Sequence, residues 1–324
     1  MIDGIINVYK EKGYTSFDVV AKLRGILKQK KIGHTGTLDP MAEGVLIVCL
    51  GKATKLVDIL ISSSKEYHAS MQLGIKTDTE DITGEIQKES DSWKSLSDNE
   101  IIEAINSFIG KYSQLPPMYS AIKKDGKKLY EYARSGIEVE REKRDVEIIS
   151  IDNISIELPY VQFDVKCSKG TYIRSLCRDI GDKLGCGASL FALLRSELHG
   201  MTVSDAYKLS DIEKLRDEDM LYKCVVSMDS LLMDYDRLDI KSHASKLLSN
   251  GNKLKPICFY SENHSTIDKK TDEEKNHDID EENNCDFRNY SPGKLYRIYD
   301  KDKLMALYRY DEKNDIFVPF KMFL

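Results

Sequence analysis

The sequence predicts an α+β chain in two domains, and three observations predict it. Residues 66–73 and 161–168 alternate apolar with polar side chains, the period of two that half-buried strands require. Two other stretches repeat their apolar positions at helical spacing: Val19, Val20, Leu23, Ile26 and Leu27 in the first, Ile101, Ile102, Ile105 and Phe108 in the second. A chain of 324 residues can bury a substantial core and would ordinarily make two domains. The character of the sequence changes after about residue 236, which divides it into 1–236 and 237–324.

In chain order, residues 4–9 (Gly-Ile-Ile-Asn-Val-Tyr) read as a short strand and Lys10 to Tyr14 as a turn. Thr15 or Ser16 can cap the first helix, whose end carries Lys28, Lys30 and Lys31. Residues 31–44 hold Gly33, Gly36, Gly44 and Pro40, too many breakers for a helix or a central strand, so they form a shaped loop with Asp39 at its centre. Val45 to Leu50 is almost wholly apolar and reads as a buried strand. Gly51-Lys52 is not a phosphate loop, because its spacing from Gly44 is wrong and Ala53 stands where Ser or Thr is needed. In the strand at 66–73 Tyr67 lies on the apolar side with Ala69, Met71 and Leu73. Ser97 or Asp98 starts the second helix and Gly110 stops it.

Residues 115–136 interleave lysines with tyrosines, a mixture that suits RNA, where cations meet phosphates and rings stack on unpaired bases. Strands follow at about 146–156 and 161–168, then a glycine turn and a helix start at Ser168 to Leu176. Cations are mildly disfavoured in the first turn of a helix, so Arg174, bracketed by Ile173 and Leu176, calls for a buried carboxylate partner. Beyond 236 come a short helix at 242–250 and strands at 293–299, 303–310 and 316–323. The intervening residues 261–290 are acidic and nearly free of large aliphatics, the composition of a disordered insertion.

Composition narrows the function. No apolar run reaches membrane-spanning length and no signal-peptide pattern opens the chain, so a cytoplasmic protein with no membrane association is expected. Seven scattered cysteines without a C-x-x-C pair suit a reducing compartment and imply neither a disulfide framework nor a zinc site. A net charge of −6 at first argues against nucleic acid. Residues 262–286 alone contribute ten acids and three lysines, a net of −7, so the rest of the chain sums to +1. Residues 123–144 carry eight cations against five acids.

The run Gly33-His34-Thr35-Gly36-Thr37-Leu38-Asp39-Pro40-Met41-Ala42-Glu43-Gly44 closely resembles the catalytic loop of bacterial tRNA pseudouridine synthases of the TruB type, with Asp39 in the place of their aspartate. Lys65-Glu66-Tyr67 followed by residues 73–81 is similar to the family's second motif, Ser168 to Leu176 to its third, and 183–195 to its last. Where the family has Lys-Pro this chain has Lys10-Glu11, and where it often has two arginines this chain has Leu194-Arg195. The resemblance implies a mixed, mainly antiparallel central sheet flanked by helices and loops, closed by a small β-rich PUA-like domain. It further implies that Tyr67 lies against the target uracil, that Arg174 faces Asp39, and that Tyr172 and Leu193 border the base. Residues 115–144 would grip the RNA, and His34 would fill the space that a flipped-out uridine vacates.

The reaction implied is conversion of the uridine at position 55, in the T-loop of tRNA, to pseudouridine. It needs one ionised carboxylate, with neither cofactor nor metal. The expected partner is the T-arm stem-loop, bound by a monomer with no obligate protein partner. Two other classes compete. A non-catalytic RNA-binding or RNA-folding protein would have no use for Asp39, Tyr67 and Arg174 together. A glycosidase would need a second catalytic carboxylate, for which only Glu43 offers itself, and a phosphotransferase would need magnesium ligands.

Overall fold

The computed structural model describes residues 1–61, 63–260 and 290–324. The stretch 261–290, expected to be a disordered insertion, lies outside the described residues except for Tyr290. Two compact units are present, Met1–Val225 and Val226–Leu324. The division falls ahead of the change in composition near 236, because the intervening residues bind the C-terminal strands. Arg297 reaches Asp229 at 2.7 Å and the Tyr235 carbonyl at 2.7 Å, and Lys294 reaches Asp236 at 2.8 Å.

The first unit is built on a nine-stranded sheet. Its strands are β1 (Gly4–Lys10), β2 (Ile32–His34), β3 (Glu43–Leu50), β4 (Lys65–Leu73), β5 (Gly110–Gln114), β6 (Arg144–Glu157), β7 (Tyr160–Cys167), β8 (Ala188–Leu198) and β9 (Met201–Thr202). The main path runs β1-β3-β8-β4-β7-β6-β5, with β2 on β3 and β9 on β8. All pairings are antiparallel except β3 with β8, where Glu43 meets Leu194 and Gly44 meets Arg195. This is the mixed, mainly antiparallel sheet that the sequence led us to expect. The parallel contact places the end of the Asp39 loop beside a strand 150 residues downstream, as the Arg195 to Val45 hydrogen bond records.

Three helices illustrate how local sequence sets the elements. In α1 (Ser16–Leu27) Thr15 and Asp18 form a reciprocal capping box, and Val19, Val20, Leu23 and Ile26 pack with β1 and β3. In α2 (Asp98–Asn106) Ser97 and Glu100 do the same. This helix ends sooner than the periodicity suggested: Phe108 lies beyond it, edge-on to Tyr112 at 5.4 Å, and Gly110 opens β5. In α3 (Ile173–Lys183) Ile173, Leu176, Cys177 and Ile180 are buried in the core formed with β4, β7 and β8.

The second unit is β-rich. Strand β10 (Asp236–Asp239) runs parallel to β11 (Leu295–Asp300), which continues antiparallel through β12 (Lys303–Asp311) and β13 (Ile316–Met322). Phe317 is fully buried and meets Phe259 and Tyr296 edge-on. Among the described residues no helix is long and apolar enough to cross a membrane.

Candidate active site

The loop between β2 and β3 is held from below by side chains far from it in sequence. Ser16 Oγ accepts from the Leu38 N–H at 2.9 Å and donates to the Leu38 carbonyl at 3.3 Å. Lys10 is fully buried, and its Nζ donates to the carbonyls of Ala42 (2.6 Å), Glu11 (3.2 Å) and Pro40 (3.4 Å). Burial pushes the Lys10 ammonium down to about 8, against the pull of Glu43 and Asp39. The Gly44 φ of +101° is one that side chains rarely adopt, and a Cβ there would clash with the Arg195 carbonyl oxygen. These tethers fix the backbone on both sides of Asp39 and leave its side chain about one-third exposed.

Arg174 meets Asp39 at the centre of the site. Its Nε lies 2.8 Å from Asp39 Oδ2, while Nη1 donates to the Thr79 carbonyl and Nη2 to the Tyr119 carbonyl, both at 2.8 Å. Asp81 is the second carboxylate, its Oδ2 3.9 Å from Arg174 Nε. Asp81 is itself fixed: its Oδ1 accepts from Thr79 Oγ1 (2.8 Å) and from the Thr83 N–H (2.9 Å) and hydroxyl (2.5 Å). A guanidinium that is almost wholly buried is thus satisfied by two carbonyls and two carboxylates. Such a fork presents the Asp39 carboxylate in one orientation.

Aromatic and aliphatic side chains surround this pair. Tyr67, 7% exposed on β4, shares an apolar cluster with Leu38, Met41, Ala69 and Leu193. Burial pushes its phenol up to about 12, and the positive charge of Arg195, its partner across the β8–β4 pairing, opposes the shift. Tyr172 is the N-cap of α3 and half-buried; burial raises its phenol, while Ser120, Arg144 and Arg174 act the other way. Its backbone is clamped by Gln114, whose Oε1 accepts the Tyr172 N–H at 2.9 Å and whose Nε2 donates to the carbonyl at 3.0 Å. Asp39 acts electrostatically on both phenols. Leu193 sits on β8 opposite Ala69.

His34 ends β2 and is half-buried. Burial lowers its imidazole, a shift the nearby Gly36 backbone partly opposes, and Nδ1 is buried without a hydrogen-bond partner. The residues singled out from the sequence therefore fall into one direct pair, Asp39 with Arg174, one apolar cluster holding Tyr67 and Leu193, and two flanking groups, Tyr172 and His34.

Sequence reasoning passed over three supports. Asp81 closes the second motif, where two nearby acids, Asp78 and Glu80, gave no sign of which one turns inward. Arg195 and Lys10 are fully buried cations, and residue type alone gives exposure as the better guess for both. Beyond Asp81, Glu80 accepts from the Ser175 hydroxyl at 2.6 Å and pairs with Arg178; Glu80 and Arg178 line a cleft of about 640 Å³ that residues of 133–143 also border, and Asp39 is not part of it. No group of three or more His, Cys, Asp or Glu among the described residues is placed to hold a metal.

Comparison with known proteins adds to this geometry. Residues 24–173 match the family model described as TruB family pseudouridylate synthase (N terminal domain), and 174–233 match the tRNA pseudouridylate synthase B C-terminal domain. A tRNA pseudouridine synthase B of Clostridium tetani (strain Massachusetts / E88) is 48% identical over 254 residues, covering 78% of this chain and 86% of the relative. Its counterpart in Clostridium perfringens (strain 13 / Type A) is 48% identical over 262 residues, covering 81% and 87%. Among solved structures, a chain of a Cbf5-Nop10-Gar1 complex superposes with a TM-score of 0.69 at 26% identity, covering 99% of this chain and 85% of that one. Built on that fold and nearly half identical in sequence to the clostridial synthases, the chain belongs to the TruB family of pseudouridylate synthases.

Proposed function

We infer that this chain isomerises uridine in tRNA to pseudouridine, and that its target is the T-loop uridine at position 55. The observation that carries the reading is the Asp39 carboxylate on a tethered glycine loop, 2.8 Å from a buried arginine. In this reading Asp39 is the nucleophile or carbanion stabiliser at the base or sugar. Arg174 orients it. Tyr67 lies against the uracil ring and moves a proton, while Tyr172 and Leu193 border the base.

The substrate uridine is stacked within a folded loop and has to be flipped out, at a cost of a few kcal/mol that enzyme contacts offset. His34, with its unpartnered Nδ1, is the group we assign to the vacated space. Residues 115–144 grip the RNA backbone, and the β-rich second unit acts as a PUA-like RNA-binding domain. The protein works as a monomer in the cytoplasm, on the T-arm, without an obligate protein partner.

The test is release of tritium to water from a T-arm stem-loop RNA labelled at uridine C5, because forming the C5–C1′ bond expels that hydrogen. Release by the wild type and none by Asp39→Asn is the expected result. Tight binding without release would favour an RNA-binding protein, and release by both would remove Asp39 from the mechanism.

A further inference from the structure

Arg195 is unlike the other buried arginine of the site. It is fully buried, yet among the described residues no carboxylate lies within ion-pair distance of it. Its Nε donates to the Val45 carbonyl at 2.7 Å and its Nη2 reaches toward the Gly36 carbonyl at 3.5 Å, so the guanidinium is pinned to both ends of the Asp39 loop. It also lies directly opposite Tyr67 in the antiparallel β8–β4 pairing, which puts both side chains on the same face of the sheet, and its charge favours the ionised phenol. Lys65, at the start of β4, adds a second buried cation nearby, its Nζ on the carbonyls of Ile61 (3.2 Å) and Ser63 (3.0 Å). A buried charge without a counterion destabilises a fold, and an apolar side chain of similar volume is ordinarily the more stable choice. Stability alone therefore does not account for an arginine at this position.

Its geometry shows what it can do. A guanidinium has donors and no acceptor, so toward this neighbour the Tyr67 oxygen can only accept, and the phenol's own hydrogen is left to point elsewhere. We propose that Arg195 is a positioning residue for Tyr67, holding the phenol oxygen as an acceptor, its proton toward the base, and stabilising the phenolate formed during proton transfer. This rests on the reading of the chain as a pseudouridine synthase.

The proton balance of that reaction supplies the need. Once C5 has bonded to C1′, the detached ring carries hydrogen on C5 and a double bond between N1 and C6. The Tyr67 O–H proton passes to N1. The C5–H pair then becomes the C5=C6 double bond, and its proton passes to the phenolate, restoring the phenol. No external acid, base or redox partner is consumed, and the negative charge on Tyr67 between the two transfers faces Arg195.

The experiment compares wild type, Arg195→Met, Arg195→Lys, Tyr67→Phe and the Tyr67→Phe/Arg195→Met double variant in single turnover, on a T-arm stem-loop with hydrogen or deuterium at uridine C5. Arg195→Met is expected to slow the reaction by about 100–300-fold, the lower part of what a lost acid–base group costs, with RNA affinity unchanged. Its C5 isotope effect is expected to exceed that of the wild type, because deprotonation at C5 becomes limiting. The double variant should be no slower than the slower single variant, and Arg195→Lys, which keeps a charge, should recover part of the rate. An isotope effect unchanged from wild type, rate losses that multiply in the double variant, or a loss confined to RNA affinity would each overturn the proposal. Should Arg195→Met melt before assay temperature, Arg195→Lys carries the isotope comparison alone. A wild type that binds the stem-loop but makes no pseudouridine would overturn the functional reading itself, a failure distinguishable from that of Arg195.

Discussion

The Asp39 loop and the 115–144 segment are both irregular and both rich in groups suited to RNA, but they are held in opposite ways. Around Asp39 the cations are buried: Lys10, Arg174 and Arg195 turn inward onto carbonyls and carboxylates of the loop and its neighbours. In 115–144 all but Arg141 are exposed or partly so, and two tyrosines rest against them, Lys128 over Tyr130 at 5.4 Å and Lys127 over Tyr132 at 6.0 Å. A buried cation fixes geometry and costs desolvation, whereas an exposed one is available to a phosphate and costs little. The first region is therefore suited to chemistry, the second to affinity.

That contrast can be broken at its strongest point with Arg174→Lys. An ammonium cannot reproduce the fork that joins Asp39 to Thr79 and Tyr119, so single-turnover rate should fall by about 100–1000-fold with RNA affinity nearly unchanged. A drop in affinity matching the drop in rate would merge the two regions into one. Next in size is Gly44→Ala, where the added methyl group would meet the Arg195 carbonyl oxygen at a φ of +101°. We expect a loss of about 3 kcal/mol in urea denaturation and a matching fall in activity, since strain and overpacking coincide there. A variant as stable as the wild type would show that the loop is not anchored at β8. The smallest effects belong to binding. Replacing Lys123, Lys124, Lys127 and Lys128 by alanine should lower RNA affinity about tenfold and flatten its salt dependence by roughly 0.7–0.9 for each phosphate no longer neutralised, without changing single-turnover rate at saturation. His34→Ala should behave in the same direction and more mildly. A changed rate at saturating RNA would place either set in the chemistry.

Much of this was legible in the sequence because the signals are local. Glycines and Pro40 mark the loop, alternation marks the strand of Tyr67, and Thr15 or Ser16 ahead of the apolar period marks a helix start, the cap falling to Thr15. Arg174 announced its need for a carboxylate through its place in a helix's first turn, and the structure supplies Asp39 and Asp81. What escaped has partners that are remote or elements that are short. Arg195 bonds a carbonyl on a parallel neighbour strand, and Lys10 bonds backbone atoms, which carry no residue-type signature. Strand β10 is short and mostly charged, and β5 (Gly-Lys-Tyr-Ser-Gln) has a single apolar ring among polar side chains, so neither shows a period. The early end of α2 is set by Phe108 finding Tyr112, a contact that periodicity cannot foresee.

The parallel contact between β3 and β8 has a consequence for how the molecule is made. Asp39 and its loop leave the ribosome long before Arg174, and Gly44 precedes its neighbour Arg195 by 151 residues (195 − 44). At a synthesis rate of about 5–20 residues per second, the loop waits roughly 8–30 s for the strand that closes it. Through that interval β1, β2 and β3 can pair with one another, while the Glu43–Gly44 end of β3 that β8 will cover has no native partner on that edge. The nascent chain is catalytically silent until its last sheet strands emerge, and the same delay makes that open edge the place where a chaperone or a second nascent chain would first take hold.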